Sequence, residues 1–390
     1  MPRTGGGFSG PLSAIAVTGI ALGVVVMVMA VSILRGFQDD ISGKVAGFGS
    51  HLTVTSFTTS DAYSDTPVAV DSTLLEALRS VPGVRHVQCF ATKGGMVKTE
   101  EQIYGIMFRG MGEGYDTSFY HSCLVEGRLP SETNDVLISS TISSKLGLKG
   151  GDKMRTYFWS GDSYRSRAFT VCGIYNTDLA EMDELYVVGD LRQVQRIEGW
   201  GDSLVGGYEL LVDDFDELQA TARRVADVLP YDLQLRTIVE QHPALFSWLD
   251  LLNANIALIL TIMCLVSAVA IVSALLIMIF EKGTTIGLLK ALGASNAEVR
   301  RIFMLKASGL IATGVAIGDG VALALSLAQN HWRLLTLDPE SYSMAYVPVE
   351  IDPWVYVAVS IGTMAVCVAA LLLPAAYISK VSPAKTMRSE

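Results

Sequence analysis

Asp319 is the residue in this chain best placed to do chemistry. It stands between Gly318 and Gly320 inside an apolar run, Ile302–Gln329. A carboxylate at membrane depth costs a few kcal/mol or more, so it faces a cavity or a partner. It could relay a proton or an ion, or it could hydrogen-bond within a helix bundle. A pump needs several such groups, and no other apolar run here holds one. The bundle reading is therefore the stronger.

Other chemistry is excluded by pattern. Gly43-Lys44 is followed by Val45 and lacks the glycine five residues earlier, so it is not a phosphate-binding P-loop. His51, His86 and His121 fall in no triad signature. There is no HExxH, GxSxG or EF-hand spacing. The five cysteines, Cys89, Cys123, Cys172, Cys264 and Cys367, form no CxxC or Cys/His pattern and read as small buried apolar residues. No catalytic residue, metal site or cofactor site is expected on this chain.

A second stretch could act without being catalytic. Glu281–Ser295 is a short charged segment between two long apolar runs. Ile286, Leu289 and Leu292 recur at i, i+3 and i+6, which predicts a short helix with one apolar face. Gly293 is the predicted C-terminal stop. Lys282 and Lys290 could pair with carboxylates of a partner. Such a face suits a groove on another protein. The bland alternative is a connector whose charges only set orientation.

The surrounding elements explain the position of both features. The chain has 390 residues, half of them hydrophobic, and the excess lies in four blocks. Each block exceeds the roughly 20 residues that a helix needs to cross a bilayer. The expected layout is a cytoplasmic N-terminus 1–10, spans at 11–35, 251–280, 302–329 and 353–378, an outer domain 36–250, a linker 281–301, an outer loop 330–352 and a cytoplasmic tail 379–390. Lys and Arg set the orientation. Arg3, the linker residues Lys282, Lys290, Arg300, Arg301 and Lys306, and the tail residues Lys380, Lys385 and Arg388 share one side. Residues 36–250 carry 18 basic against 31 acidic residues, a net of −13. Both termini are thus expected in the cytoplasm and the large domain outside. Arg35, at the outer end of the first span, is the one dissent. The acidic balance argues against nucleic-acid binding.

In the first span, Gly19 and Gly23, and Ala14, Thr18 and Ala21, form rows of small residues that let helices approach closely in lipid. Ile41, Val45 and Phe48 continue the helical period beyond it, up to Gly47 and Gly49. The outer domain reads as mixed α and β. Predicted strands are His51–Phe57, Val84–Ala91, Gly95–Lys98, Gln102–Phe108, Asp135–Ser139, Lys153–Trp159, Ala168–Tyr175, Glu184–Val188 and Gly207–Val212. Predicted helices are Ser72–Arg79, Ser140–Leu146, Asp190–Ile197 and Phe215–Val228. A hairpin tip is expected at Ser160–Ser163, and Pro243–Asp250 should open the helix of the second span.

Phe280–Ser295, reading Phe-Glu-Lys-Gly-Thr-Thr-Ile-Gly-Leu-Leu-Lys-Ala-Leu-Gly-Ala-Ser, resembles the cytoplasmic coupling segment of FtsX/MacB-type ABC transporter permeases. These have four spans and a large extracytoplasmic domain after the first. Within them the chain is most similar to the lipoprotein-releasing LolC/LolE permeases. The matching stretches are Gly19-Ile20-Ala21-Leu22-Gly23, Gly36-Phe37, Gly127-Arg128, Gly151-Asp152-Lys153 and Phe246-Ser247-Trp248-Leu249. Leu337–Val349 with Tyr342 and Pro348, and Pro374 with Pro383, complete them.

The resemblance implies a fold of four transmembrane helices plus a mixed α/β, MacB-like periplasmic core domain inserted between the first and second spans. It implies a bacterial inner-membrane permease that pairs with a second copy or a paralogue. ATP and Mg would bind a separate LolD-like ATPase, whose closure pushes the coupling segment. A lipoprotein would then pass to a LolA-like periplasmic carrier. Carried over by position, Glu281, Thr284, Ile286, Leu289, Lys290, Leu292 and Gly293 would contact the ATPase. Val24, Val28 and Val31, with Phe246, Leu249 and Ile256, would line the lipoprotein site.

Two features depart from the family. Only Met1–Gly10 precede the first apolar block, where the family has a longer basic amphipathic segment. The hairpin Trp159–Arg167 is shorter than the hook with which such permeases capture a carrier. Other readings are an efflux component, an activator of cell-wall hydrolases, and a membrane-anchored receptor with no ATPase.

Overall fold

The computed structural model describes residues 9–58, 64–99, 102–160, 163–338, 342 and 344–377. Arg3, the hairpin-tip residues Gly161 and Asp162, and Lys380, Pro383, Lys385 and Arg388 of the tail lie outside them. Contacts divide the chain into two compact units. One holds the residues up to Gln38, Ser247–Thr336 and those from Tyr346 onward; the other holds Asp39–Phe246 and Leu337–Ala345.

The elements in chain order are α1 Ser9–Gly49, β1 Leu52–Ser56, β2 Val68–Ala69, α2 Ser72–Ser80, β3 Val84–Lys98, β4 Ile103–Met111, α3 Ser118–Ser122, β5 Leu124–Gly127 and β6 Asp135–Ser139. There follow α4 Ser140–Leu146, β7 Lys153–Ser160, β8 Ser163–Tyr175, α5 Ala180–Leu185, β9 Tyr186–Asp190, α6 Leu191–Glu198, β10 Leu204–Val205 and β11 Gly207–Val212. The chain ends with α7 Leu218–Ala226, β12 Leu233–Thr237, α8 Ile238–Gln241, α9 Pro243–Glu281, α10 Gly283–Ala291, α11 Asn296–Trp332 and α12 Pro353–Tyr377.

The sheet unit is built on the strand order β12-β1-β11-β3-β4-β9-β6-β8-β5, with β7 bonded to both β3 and β8. Tyr120, Tyr175, Tyr208, Phe108, Phe158 and Phe169 are fully buried in it. Local chemistry sets its helix boundaries. Ser139 ends β6 and its hydroxyl accepts from the Ile142 N–H at 3.0 Å, so strand passes straight into α4. Asp190 does the same for α6, accepting from Arg192 N–H at 2.8 Å. Both are N-caps that satisfy an orphan helix donor.

Several expected boundaries move. Val84–Ala91 and Gly95–Lys98 are one strand, because the intervening Thr92 and Lys93 are held in register. Asp65 accepts from both the Thr92 N–H and its hydroxyl, and Lys93 ion-pairs with Glu198. The strand expected at Glu184 starts at Tyr186, since Ala180–Leu185 is helical. Strand β5 ends at Gly127, which has φ +87; a Cβ there would lie 2.3 Å from the Cys172 carbonyl. Strand β12 carries no turn-bounded alternation strong enough to have been predicted.

In the helical unit, the helices within Ala14–Gly49, Pro243–Glu281, Asn296–Trp332 and Pro353–Leu372 are long and apolar enough to cross a membrane. They pack through small residues. A Cβ at Gly23 would meet the Ser267 hydroxyl at 2.5 Å, and one at Gly318 would meet the Val24 Cβ at 2.7 Å. Gly19 and Ala21 belong to these contacts, whereas Ala14 and Thr18 are exposed. Helix α1 ends at Gly49, as its glycines predicted, and Ser50 takes the left-handed conformation at φ 71. Arg35 is paired with Asp352 at 2.6 Å, so the basic residue that follows the first apolar run has its counter-charge.

Candidate functional site

The segment between α9 and α11 is an elbow with defined corners. Lys282 and Ile286 donate backwards to the carbonyls of Met278 and Lys282 at 3.0 and 2.9 Å, so α10 follows α9 almost without a break. At its other end the Ala294 N–H reaches the Leu289 carbonyl at 3.0 Å and the Gly293 N–H reaches Lys290 at 3.1 Å. That bond pair is a Schellman stop, and Gly293 supplies its left-handed residue at φ +100. Two residues later a capping box starts α11. The Ser295 hydroxyl accepts from the Glu298 N–H at 3.3 Å, and the Glu298 carboxylate accepts from the Ser295 N–H at 2.7 Å. The bonds from the Ser295 backbone and hydroxyl hold the Glu298 carboxyl below its usual range. Leu292–Ser295 is thus a tight corner rather than a loop.

The corner sets which face of α10 is presented, and it is not the predicted one. Ile286 is fully buried in the helical core with Val299, Phe303, Met278 and Ile279, and Leu289 packs against that core. The exposed apolar residues are Leu288, at 59%, and Leu292, at 78%, with Phe280 at 70% at the end of α9. Glu281 and Thr284 are exposed; Lys290 is half-buried. Helix geometry gives the reason. Each three-residue step turns about 300°, so the i, i+3, i+6 row drifts about 120° from Ile286 to Leu292. Leu288 and Leu292, four apart, stay within about 40° of each other. A period-four reading of the same residues would have found Leu288.

Of the residues expected to line a lipoprotein site, five lie in the helical unit and Phe246 lies in the sheet unit. Val24 and Val28 are fully buried in the helical core, where Val24 faces Gly318. Val24 packs on Gly318, and Val28 packs elsewhere in the same core. Val31 and Ile256 are half-buried and Leu249 is buried in the same unit. Phe246 belongs to the sheet unit, where its ring stacks on Phe215 at 6.0 Å and 12°.

Asp319 is half-buried on α11 and accepts a 2.6 Å bond from the Ser360 hydroxyl of α12. Its other oxygen is buried without a partner among the described residues. The carboxylate ties two helices together. No group of three or more His, Cys, Asp or Glu able to hold a metal occurs among the described residues. In the sheet unit, the β7–β8 hairpin is laddered from Lys153↔Thr170 to Ser160↔Ser163. Trp159 and Tyr164, both exposed, meet edge-on at 4.6 Å next to its tip.

Comparison with known proteins covers nearly the whole chain. Residues 13–228 match the MacB-like periplasmic core domain, and residues 241–383 match the FtsX-like permease C-terminal family. The lipoprotein-releasing system transmembrane protein LolC of Neisseria meningitidis is 24% identical over 408 residues, 98% of this chain and 95% of that one. The protein of the same name from Xylella fastidiosa strain 9a5c is 25% identical over 410 residues, with the same coverage. The LolE protein of Haemophilus influenzae is 22% identical over 395 residues, 95% of this chain and 92% of that one.

Proposed function

The chain belongs to the FtsX/MacB-type ABC transporter permeases, and from that premise we propose that it is the permease subunit of a lipoprotein-releasing complex. It takes force from a separate ABC ATPase on the cytoplasmic side and uses it to move lipoprotein out of the inner membrane to a periplasmic carrier. It hydrolyses nothing itself; ATP and Mg belong to the ATPase. Its LolC and LolE relatives support the substrate class.

The observation that carries the reading is the elbow. Helix α10 runs on from α9 at one end, is stopped by a backbone cap at the other and is anchored by Ile286, yet it leaves Leu288 and Leu292 in the open, with Glu281 and Thr284 also exposed. A groove on an ATPase is the fitting cover for two leucines on a capped helix. Buried Ile286 then converts pressure on that face into displacement of the core formed with Val299 and Phe303. The exposed aromatic pair of the β7–β8 hairpin is the corresponding surface for the carrier.

The test is co-purification of the full chain with an ABC ATPase. Leu288→Asp should lose the ATPase while the thermal melt stays unchanged, and Ile286→Asp should lower the melt. An ATPase retained by Leu288→Asp would remove α10 as the coupling face. Correct sorting of outer-membrane lipoproteins after depletion of this chain would remove the substrate class.

A further inference from the structure

The two long helices α1 and α9 both have their roots in the sheet unit, and the roots are joined. Only Ser50 and His51 separate α1 from β1, and α8 with His242 separates β12 from α9. Strands β1 and β12 pair antiparallel, with Leu52 opposite Thr237, so the two roots lie at the same end of one two-strand ladder. The rung beyond it is closed by the Ile238 N–H donating to the His51 carbonyl at 3.0 Å. Gln241 of α8 adds a bond to the Thr53 hydroxyl at 3.0 Å.

Side chains repeat the connection. The His51 ring meets Phe215 at 6.1 Å, and Phe215 stacks on Phe246 in the first turn of α9. Three rings therefore run from the root of α1 to the root of α9. His51 Nδ1 accepts from the Val212 N–H at 3.3 Å, which fixes its ring against β11. The α1 side is seated separately. Phe48 is buried with Tyr186 at 4.9 Å and Tyr120 at 5.9 Å, and the Arg109 guanidinium lies 5.5 Å from its ring. Gly47 leaves room for the Phe119 ring, which a Cβ would approach to 2.4 Å.

We propose that His51, Phe215 and Phe246 form a yoke that makes the roots of α1 and α9 a single mechanical body, so that neither helix end can shift or turn without carrying the β1–β12 ladder with it. The three are positioning residues. The inference rests on the force-transmitting reading above and names where in the sheet unit the force is received. A flexible linker at either root would absorb the displacement as local bending, whereas packed side chains and backbone bonds carry it. Here each root has a backbone bond and a ring contact in place of slack. The Thr237–Glu240 capping box on α8 is part of the same design.

The experiment uses the full chain in lipid nanodiscs, with the five cysteines replaced and spin labels at Asp39 of α1 and Ala244 of α9. The unaltered yoke should give one narrow distance distribution. Phe215→Ala removes both ring contacts and should broaden it, and Phe215→Tyr should keep it narrow. With the ABC ATPase present, Phe215→Ala should still hydrolyse ATP but release about tenfold less lipoprotein per ATP, with Phe215→Tyr restoring the ratio. A narrow distribution in Phe215→Ala, or a broad one with an unchanged release ratio, overturns the yoke. If Phe215→Ala does not fold, Gln241→Ala cuts the second connection and is read in the same way. A parent chain with a narrow distribution but no lipoprotein release sinks the substrate class and leaves the yoke standing.

Discussion

The sheet unit and the helical unit bury polar groups in opposite ways. The sheet unit hides full charges: Arg109 pairs with Glu209, and Lys93 pairs with Glu198. The helical unit hides almost none. Apart from the Asp319 carboxylate on Ser360, its interior polar contacts are hydroxyls and amides such as Ser326 with Tyr356 at 3.0 Å and Gln329 with the Val347 carbonyl at 3.0 Å. The difference follows from the surrounding solvent. In water, burying Tyr120, Phe108 and their neighbours supplies enough free energy to offset the desolvation of an ion pair. In lipid the apolar surface gains nothing by leaving one hydrocarbon for another. Helices there are held by close approach, which is why Gly23, Gly314 and Gly318 occupy the contacts.

The sharpest way to break this comparison is to orphan a charge in the sheet unit. Burial works against the Arg109 guanidinium, but Glu209 beside it outweighs this and raises its pKa, so it remains a cation. Gln88 and Tyr115 donate to the other Glu209 oxygen at 3.0 and 2.9 Å. Glu209→Leu leaves that cation buried and alone, and should cost about 3–5 kcal/mol. The thermal melt would show it, with amide exchange rising across β4 and β11. Arg109→Met in the same chain should recover most of the loss. If the double variant is no better than the single one, the network matters for shape rather than for charge.

The corresponding test in the helical unit adds volume. Gly318→Leu must push into Val24, and overpacking of this kind costs about 1–3 kcal/mol. Gly320, two residues on, has open space where a Cβ would go. Gly320→Leu should be neutral or slightly stabilising, since leucine is the better helix former. Equal effects at the two positions, measured by steric trapping in bicelles, would show that close packing is not what holds these helices.

A smaller effect comes from pH in the sheet unit. Burial, helped by the charge of Arg85, lowers the His51 pKa from its ordinary 6.5 to about 4. A histidine whose folded pKa is depressed binds its proton better unfolded. Its contribution is therefore complete above pH 6.5 and is lost as pH falls toward 4, by on the order of 2 kcal/mol. His51→Asn keeps an acceptor for the Val212 N–H but does not titrate. The stability gap between the two proteins, followed by thermal melts from pH 7.5 to 4.5, should shift in favour of the variant below pH 6.5. A constant gap would place the His51 ring in solvent.

How much of this was legible in sequence depends on whether the signal was local. Capped elements such as Ser140–Leu146 and Leu191–Glu198 could be read within a residue or two, because Ser139 and Asp190 act on the next turn. The four apolar helices were legible by length alone. The exposed face of α10 is not legible from a three-residue spacing, because that row drifts around the helix. The yoke was invisible: His51, Phe215 and Phe246 are 164 and 31 residues apart in the chain, and only the pairing of β1 with β12 and β11 brings them together. Phe246 stands out in the sequence as a candidate lining residue, but its stack on Phe215 leaves no local signal.

The finest test sits at the outer rim of the helical unit, where a charge pair does survive. Arg35 and Asp352 are 2.6 Å apart, but the arginine side chain is 47% exposed. An exposed pair is worth roughly 0–1 kcal/mol and weakens with salt. Asp352 has a second role, because its carboxylate also accepts from the Trp354 N–H at 2.9 Å, at the start of α12. That cap is worth about 1 kcal/mol by itself and does not depend on Arg35. Arg35→Ala should therefore cost little, and nothing in high salt, whereas Asp352→Ala should cost more, and mostly regardless of salt. Measuring both variants at low and high ionic strength separates the pair from the cap. If the Arg35 loss were the larger and insensitive to salt, the rim would be handling charge as the sheet unit does, and the contrast between the two units would end short of the membrane boundary.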